Sequence, residues 1–284
     1  MARTGVGKNS IVALALLPFA AWIAAFLLLP ALSMIVTSFQ NENGHGVTLD
    51  HYIRAFRSPV YSLGMVNSIK ISVLSSLVGL AAGLLCAQSF RKLPPRIRDI
   101  FLNLSNIMTN FSGVPLAFAF IVLIGTSGMI TLLLKHWGMT WLVINLYSWN
   151  GLLCVYIYFQ IPLAILLLYP ALYGLKEEWK EAASILGAGD RQFWRHIGVP
   201  ILLPSLLGTF NILFASAMGA YATAYALFTS SASLLPIQIA GLVSGDIFPR
   251  HELGSALAVI LTLLMIVPMF INQWMSKAVS RRRP

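Results

Sequence analysis

Side chains able to do chemistry are few in this 284-residue sequence, and their spacing fits no catalytic template. The five histidines (His45, His51, His136, His196, His251) are scattered through polar connecting stretches, so they form no metal-ligand cluster. The nine carboxylates, Glu42, Asp50, Asp99, Glu177, Glu178, Glu181, Asp190, Asp246 and Glu252, all avoid the interiors of the long apolar runs. None is paired at working spacing, and neither HExxH nor GxSxG occurs. GVGKNS at Gly5 to Ser10 has part of a phosphate loop. It lacks the first glycine, puts Asn9 where Ser or Thr should meet Mg²⁺, and follows no strand. Cys86 and Cys154 sit in apolar runs without CxxC spacing. No catalytic residue, metal site or cofactor bound by this chain is expected.

The elements that must carry the remaining polar groups are membrane helices. The chain is 58% hydrophobic and 10% charged, with mean hydropathy +0.80, whereas soluble domains run to about 25% charged. Apolar runs near the roughly 20 residues of a membrane-crossing helix recur six times, at about 11–39, 65–90, 100–124, 149–173, 201–229 and 253–275. The first is too long for the apolar core of a cleavable signal and reads as a retained helix, with Pro18 and Pro30 as kinks or ends. The fold class is therefore all-α polytopic membrane protein with six transmembrane helices, in one transmembrane domain over 1–284.

Basic residues set the orientation. Fourteen of nineteen lie in the N-terminus, the second-to-third loop, the fourth-to-fifth loop and the tail, while Arg54, Arg57, Lys135 and Arg250 face the other side. The positive-inside rule then puts both termini in the cytoplasm. The net charge of +10 reflects that topology rather than nucleic-acid binding. On the outer side, Trp137, Trp141, Tyr147 and Trp149 suit an interfacial aromatic belt, with a short helix around residues 132–137.

Lys70 alone intrudes on a span, near enough to its start to snorkel to the interface or to face a solute. A proton- or sodium-driven carrier would be expected to hold mid-membrane carboxylates, so their absence points to energy supplied from elsewhere. Neutral polar residues recur instead. Asn67 lies with Lys70 in the second span, Asn106 and Asn110 lie four residues apart in the third, and Ser216, Tyr221 and Tyr225 lie in the fifth. Helix packing in lipid uses such residues singly; together they suit a water-filled passage.

One cytoplasmic stretch is unusually long and shaped. Leu175–Gly187 (LKEEWKEAASILG) has helix formers, early acids and a terminal glycine. Trp179, Ala182, Ala183 and Leu186 fall on one apolar stripe, whose alanines would let another helix or a receiving surface approach closely. After a turn at Gly187 and Gly189, Asp190 is the expected N-cap of a second helix bearing Phe193, Trp194 and Ile197, which Pro200 ends or redirects. The expected product is a bent helix pair projecting from the membrane as a docking element.

Glu181-Ala182-Ala183, three residues, Gly187, nine residues, Ile197, one residue, Val199-Pro200 resembles the EAA loop of binding-protein-dependent type I ABC importer permeases, with Val199 in place of Leu. LLLPALSMIVTSF and NSIKISV resemble the same permeases, and the likeness is strongest over 62–276. The resemblance implies a coupling helix held in shape by Glu181, Ala182, Ala183, Gly187, Ile197 and Pro200 and seated in a separate ATPase. It implies a second permease subunit, two ATP-binding cassette subunits carrying ATP and Mg²⁺, an external solute-binding protein, alternating access, and a bacterial inner membrane. SAMGAYATAYAL and LLPIQIAGLVSGD resemble the spermidine/putrescine-type branch. That branch implies a polyamine-like or other small amine solute, ahead of a phosphonate, sulfate, iron or thiamine. A secondary transporter or channel is the alternative, and a membrane-embedded enzyme lacks the clustered groups it would need.

Overall fold

The computed structural model describes residues 8–41, 46–227, 234–245 and 250–280. These are helical apart from turns and an isolated bridge between Gln40 and Val47. Six stretches are long and apolar enough to cross a membrane. The chain separates into two compact units, one of residues up to 58 with 239–260, the other of 59–238 with residues from 261 onward.

In the first unit, α1 (Lys8–Ile23) passes through a π-turn at Ala24–Leu28 into α2 (Leu29–Ser38). The turn answers Pro30, which has no N–H and crowds the carbonyl four residues back. The N–H of Leu29 reaches five residues back, to the carbonyl of Ala24. Pro18 is accommodated inside α1. The amphipathic α3 (Asp50–Arg57) has Asp50 in its first turn and Arg54 and Arg57 in its last, each complementing the helix dipole. Tyr52 Oη lies 2.7 Å from Ser38 Oγ, and buried His51 lies 2.9 Å from the carbonyl of Gln40 through Nε2.

The second unit opens with α4 (Pro59–Phe90), α5 (Pro95–Asn110), α6 (Val114–Ile124) and α7 (Met129–His136). It continues with α8 (Trp149–Tyr173), α9 (Glu177–Ile185), α10 (Asp190–Phe193), α11 (Val199–Met218) and α12 (Tyr221–Leu227). Along the chain, α13 (Leu235–Ser244) and α14 (His251–Ser280) follow. The centre of this unit is α8, the most buried span, which packs on α4, α5 and α11. Apolar transfer cannot drive helices together in lipid, so small residues and interhelical hydrogen bonds hold this contact. A Cβ on Gly79 would lie 2.6 Å from Cβ of Gln160, and one on Gly83 would collide with Ala164. Fully buried Gln160 donates through Nε2 to Ser75 Oγ and Ser76 Oγ, each at 3.2 Å.

Three sequence expectations change. The fifth apolar run does not form one helix over 201–229, because α11 ends at Met218 and Gly219 and Ala220 part it from α12. The third apolar run does not form one helix over 100–124. Amphipathic α5 ends at Asn110, and the membrane-length stretch is Val114–His136. Gly113, at φ +75°, takes a conformation that lets the chain break, and Pro115 starts the next helix. Pro200 does not end or redirect its helix either. A π-turn at Trp194–Gly198 absorbs it, with the N–H of Val199 reaching the carbonyl of Trp194. Asp190–Met218 is thus a single rod of 29 residues.

Candidate functional site

Two features of the second unit stand out: the helical corner at residues 177–200 and a cleft at two helix breaks, those after α5 and after α11.

The corner begins with α9, whose Glu177 and Glu178 occupy the first turn. It ends in a doubly bonded left-handed turn. The N–H of Ala188 donates to the carbonyl of Ala183 at 2.9 Å, and that of Gly187 to the carbonyl of Ser184 at 3.0 Å. This pattern needs a residue at positive φ, and Gly187 supplies it at φ +82°. Asp190 is not the N-cap expected from the sequence. Extended Gly189 holds that place, and its N–H donates to Gln192 Oε1 at 3.1 Å. Asp190 instead pairs with Lys180 across the corner at 3.0 Å. Both side chains are well exposed, so the pair contributes at most about 1 kcal/mol.

The apolar stripe of α9 splits between two directions. Ala183 is buried within the protein and Trp179 is 40% exposed. Ala183 is therefore covered within the protein and is not left bare for an outside surface. Ala182 and Glu181 are exposed. The outward apolar surface is carried by Leu186, 87% exposed, and by Ile185, 85% exposed, which the sequence pattern had not singled out. Ile197 and Pro200 are half-buried on the rod that leads into the membrane.

The second feature is a cleft of about 390 Å³ at the interruptions after α5 and α11. Thr109, Ser112 and Gly113 line one side, and Ser216, Gly219, Tyr221 and Thr223 another. Thr223 Oγ1 donates to the carbonyl of Gly113 at 3.3 Å, tying the two interruptions together, and Tyr156 Oη donates to the carbonyl of Ala220 at 3.0 Å. Tyr225 stacks on Tyr221, with ring centroids 5.3 Å apart. The lining is uncharged, offering hydroxyls, backbone and aromatic faces.

Of the pathway candidates, Ser216 and Tyr221 line this cleft and Tyr225 adjoins it through the stack. Asn110 turns its amide back to the carbonyl of Asn106 at 2.9 Å, and neither residue lines the cleft. Asn67 is half-buried and Lys70 exposed on α4, away from it. Ser112 and Gly113 are not among the residues singled out from the sequence, although FSGVP, a glycine two residues before a proline, is a helix stop-and-start signal. Among the described residues, no group of three or more His, Cys, Asp or Glu side chains could hold a metal ion.

This architecture belongs to a known class. Residues 79–283 match the family described as Binding-protein-dependent transport system inner membrane component, and the chain is a member of it, an ABC importer permease of type I and a multi-pass inner-membrane protein. It is 24% identical over 269 residues to the spermidine/putrescine transport system permease protein PotB of Haemophilus influenzae, covering 92% of both chains. It is 25% identical over 230 residues to the trehalose transport system permease protein SugB of Mycobacterium tuberculosis, covering 80% of this chain and 78% of that one. Its fold matches a chain in the crystal structure of a bacterial ABC transporter involved in import of the acidic polysaccharide alginate. The TM-score there is 0.78 at 16% identity, over 98% of this chain and 97% of that one.

Proposed function

We propose that residues 177–200 couple this permease to a separate ATPase, and that the cleft at the helix breaks after α5 and α11 is a station on the path of a small solute. The single observation supporting the coupling reading is mechanical. The second arm of the corner and the span Val199–Met218 are one uninterrupted helix. A push on the corner then moves the far end of that rod, Met218 and Gly219, where the cleft begins. The exposed Ile185 and Leu186 give the ATPase an apolar surface to close on. Such residues cost solubility when left bare, so an expected cover explains them. The same reading carries ATP and Mg²⁺ on the partner, a second permease subunit, and an external binding protein that presents the solute. In this reading both termini and the corner face the cytoplasm, which the distribution of basic residues supports.

For the solute we favour a polyamine-like or other small amine. The stacked Tyr221 and Tyr225 present aromatic faces, which attract ammonium groups, and hydroxyl oxygens lie close by. The likeness to a spermidine/putrescine permease points the same way. Since SugB is matched at similar identity, a neutral polyol is the second reading, and the uncharged, hydroxyl-bearing lining supports it.

The test uses proteoliposomes holding the permease pair, its ATPase and loaded binding protein. Binding protein should stimulate ATP hydrolysis, and Leu186→Asp should remove the stimulation. Full stimulation in that variant would refute the coupling role. Competition by polyamines, but not by disaccharides, against labelled solute would support the amine reading.

A further inference from the structure

A second cleft, of about 330 Å³, lies where α4 and α8 leave the membrane beside the corner. Its charges are unequal. Arg91, Lys92, Lys176 and Lys180 line it against two carboxylates, Glu177 and Asp190. Asp190 is taken by Lys180 at 3.0 Å. Arg91 Nη2 donates to the carbonyl of Leu175 at 2.9 Å, which leaves other N–H groups of its guanidinium for a ligand. Lys92 and Lys176 form no ion pair among the described residues, and both are exposed. They follow the ends of α4 and α8 by two and three residues, at the height where a span meets its interface. Half-buried Trp194 adjoins them. Leu85, 65% exposed on α4, and Tyr173, 68% exposed at the end of α8, leave bare apolar surface on the same two helices.

We propose that this cleft binds the phosphate headgroup of an anionic phospholipid of the cytoplasmic leaflet, bracing the base of the corner. Unpaired cations at a span boundary, an adjoining indole and exposed apolar side chains leading into the bilayer fit a tethered phosphate better than a soluble one. The proposal rests on the orientation given above, because the cytoplasmic leaflet carries the negative surface potential.

The experiment is native mass spectrometry of the assembled transporter titrated with phosphatidylglycerol, with phosphatidylcholine and inorganic phosphate as comparison probes. The wild type should retain phosphatidylglycerol preferentially. Lys92→Gln with Lys176→Gln should weaken that retention by about thirtyfold, from the usual contribution of two interfacial lysines. Lys92→Arg with Lys176→Arg should keep it. Equal retention in the Gln variant would overturn the proposal, as would full displacement of the lipid by inorganic phosphate. Loss of the ATPase subunit from the Gln variant would reassign the lysines to that partner. Orientation is checked apart: a membrane-impermeant thiol reagent should not reach Lys176→Cys from outside intact cells. External labelling would overturn the orientation and the leaflet, while the retention series would still report on the headgroup site.

Discussion

Gly187 gives the sharpest test of how the corner is held. Its φ of +82° is one that residues with a Cβ rarely adopt. A Cβ built there would meet nothing within 4 Å, so substitution costs backbone conformation and no collision. For Ala that cost is about 1–2 kcal/mol, which depopulates the doubly bonded turn relative to unwound alternatives by about five- to thirtyfold. Asn, which tolerates the left-handed region, should lose less, and β-branched Val should lose more. The two hydrogen bonds from Gly187 and Ala188 make the turn all-or-none, since each needs the same φ. ATPase stimulation by loaded binding protein, measured in proteoliposomes at matched permease content, should therefore fall in the order Gly, Asn, Ala, Val. Equal stimulation by the Val and Gly proteins would refute the reasoning. An Asn protein as impaired as Val would show that space, not backbone conformation, governs the site.

Four further outcomes follow from the packing. Ala183→Leu forces bulk into a buried place and should destabilise the corner by about 1–3 kcal/mol. Ile185→Asp should leave thermal stability in detergent unchanged while lowering stimulation, because that side chain is exposed. Gly83→Ala should lower the melting temperature by pushing α4 off α8, and a second change, Ala164→Gly, should restore much of it. Gln160→Leu removes two buried interhelical bonds, at a loss of about 0.6 kcal/mol per bond.

Hydropathy alone placed most of the spans, because a lipid-exposed helix must be apolar along its length. It misplaced the third, and it carried the fifth past its break at Gly219. Asn103, Asn106 and Asn110 share one face of an amphipathic helix, and the apolar residues between them let the run read on past the break at Gly113 into α6. A period of apolar residues also cannot say which way a stripe faces. Ala183 and Leu186 belong to the same stripe, yet one is buried and the other is 87% exposed. The left-handed turn was legible at Gly187, where a terminal glycine followed a run of helix formers. The π-turn before Pro200 was not, because the demand a proline makes on the ladder can be met by ending a helix or by widening one turn. The cleft required a long-range contact, Thr223 to Gly113 across 110 residues, that no local pattern encodes.

Coupling through the corner is the central claim, and Leu186→Cys tests it most directly. In the assembled transporter, with Cys86 and Cys154 replaced by Ala, a short bifunctional thiol reagent should join Leu186→Cys to a cysteine introduced into the ATP-binding cassette subunit. The yield should change when ATP is bound, and the link should stop ATP-driven uptake. Uptake that continues with the link fully formed, or labelling of Leu186→Cys by an impermeant reagent from outside intact cells, would contradict the account.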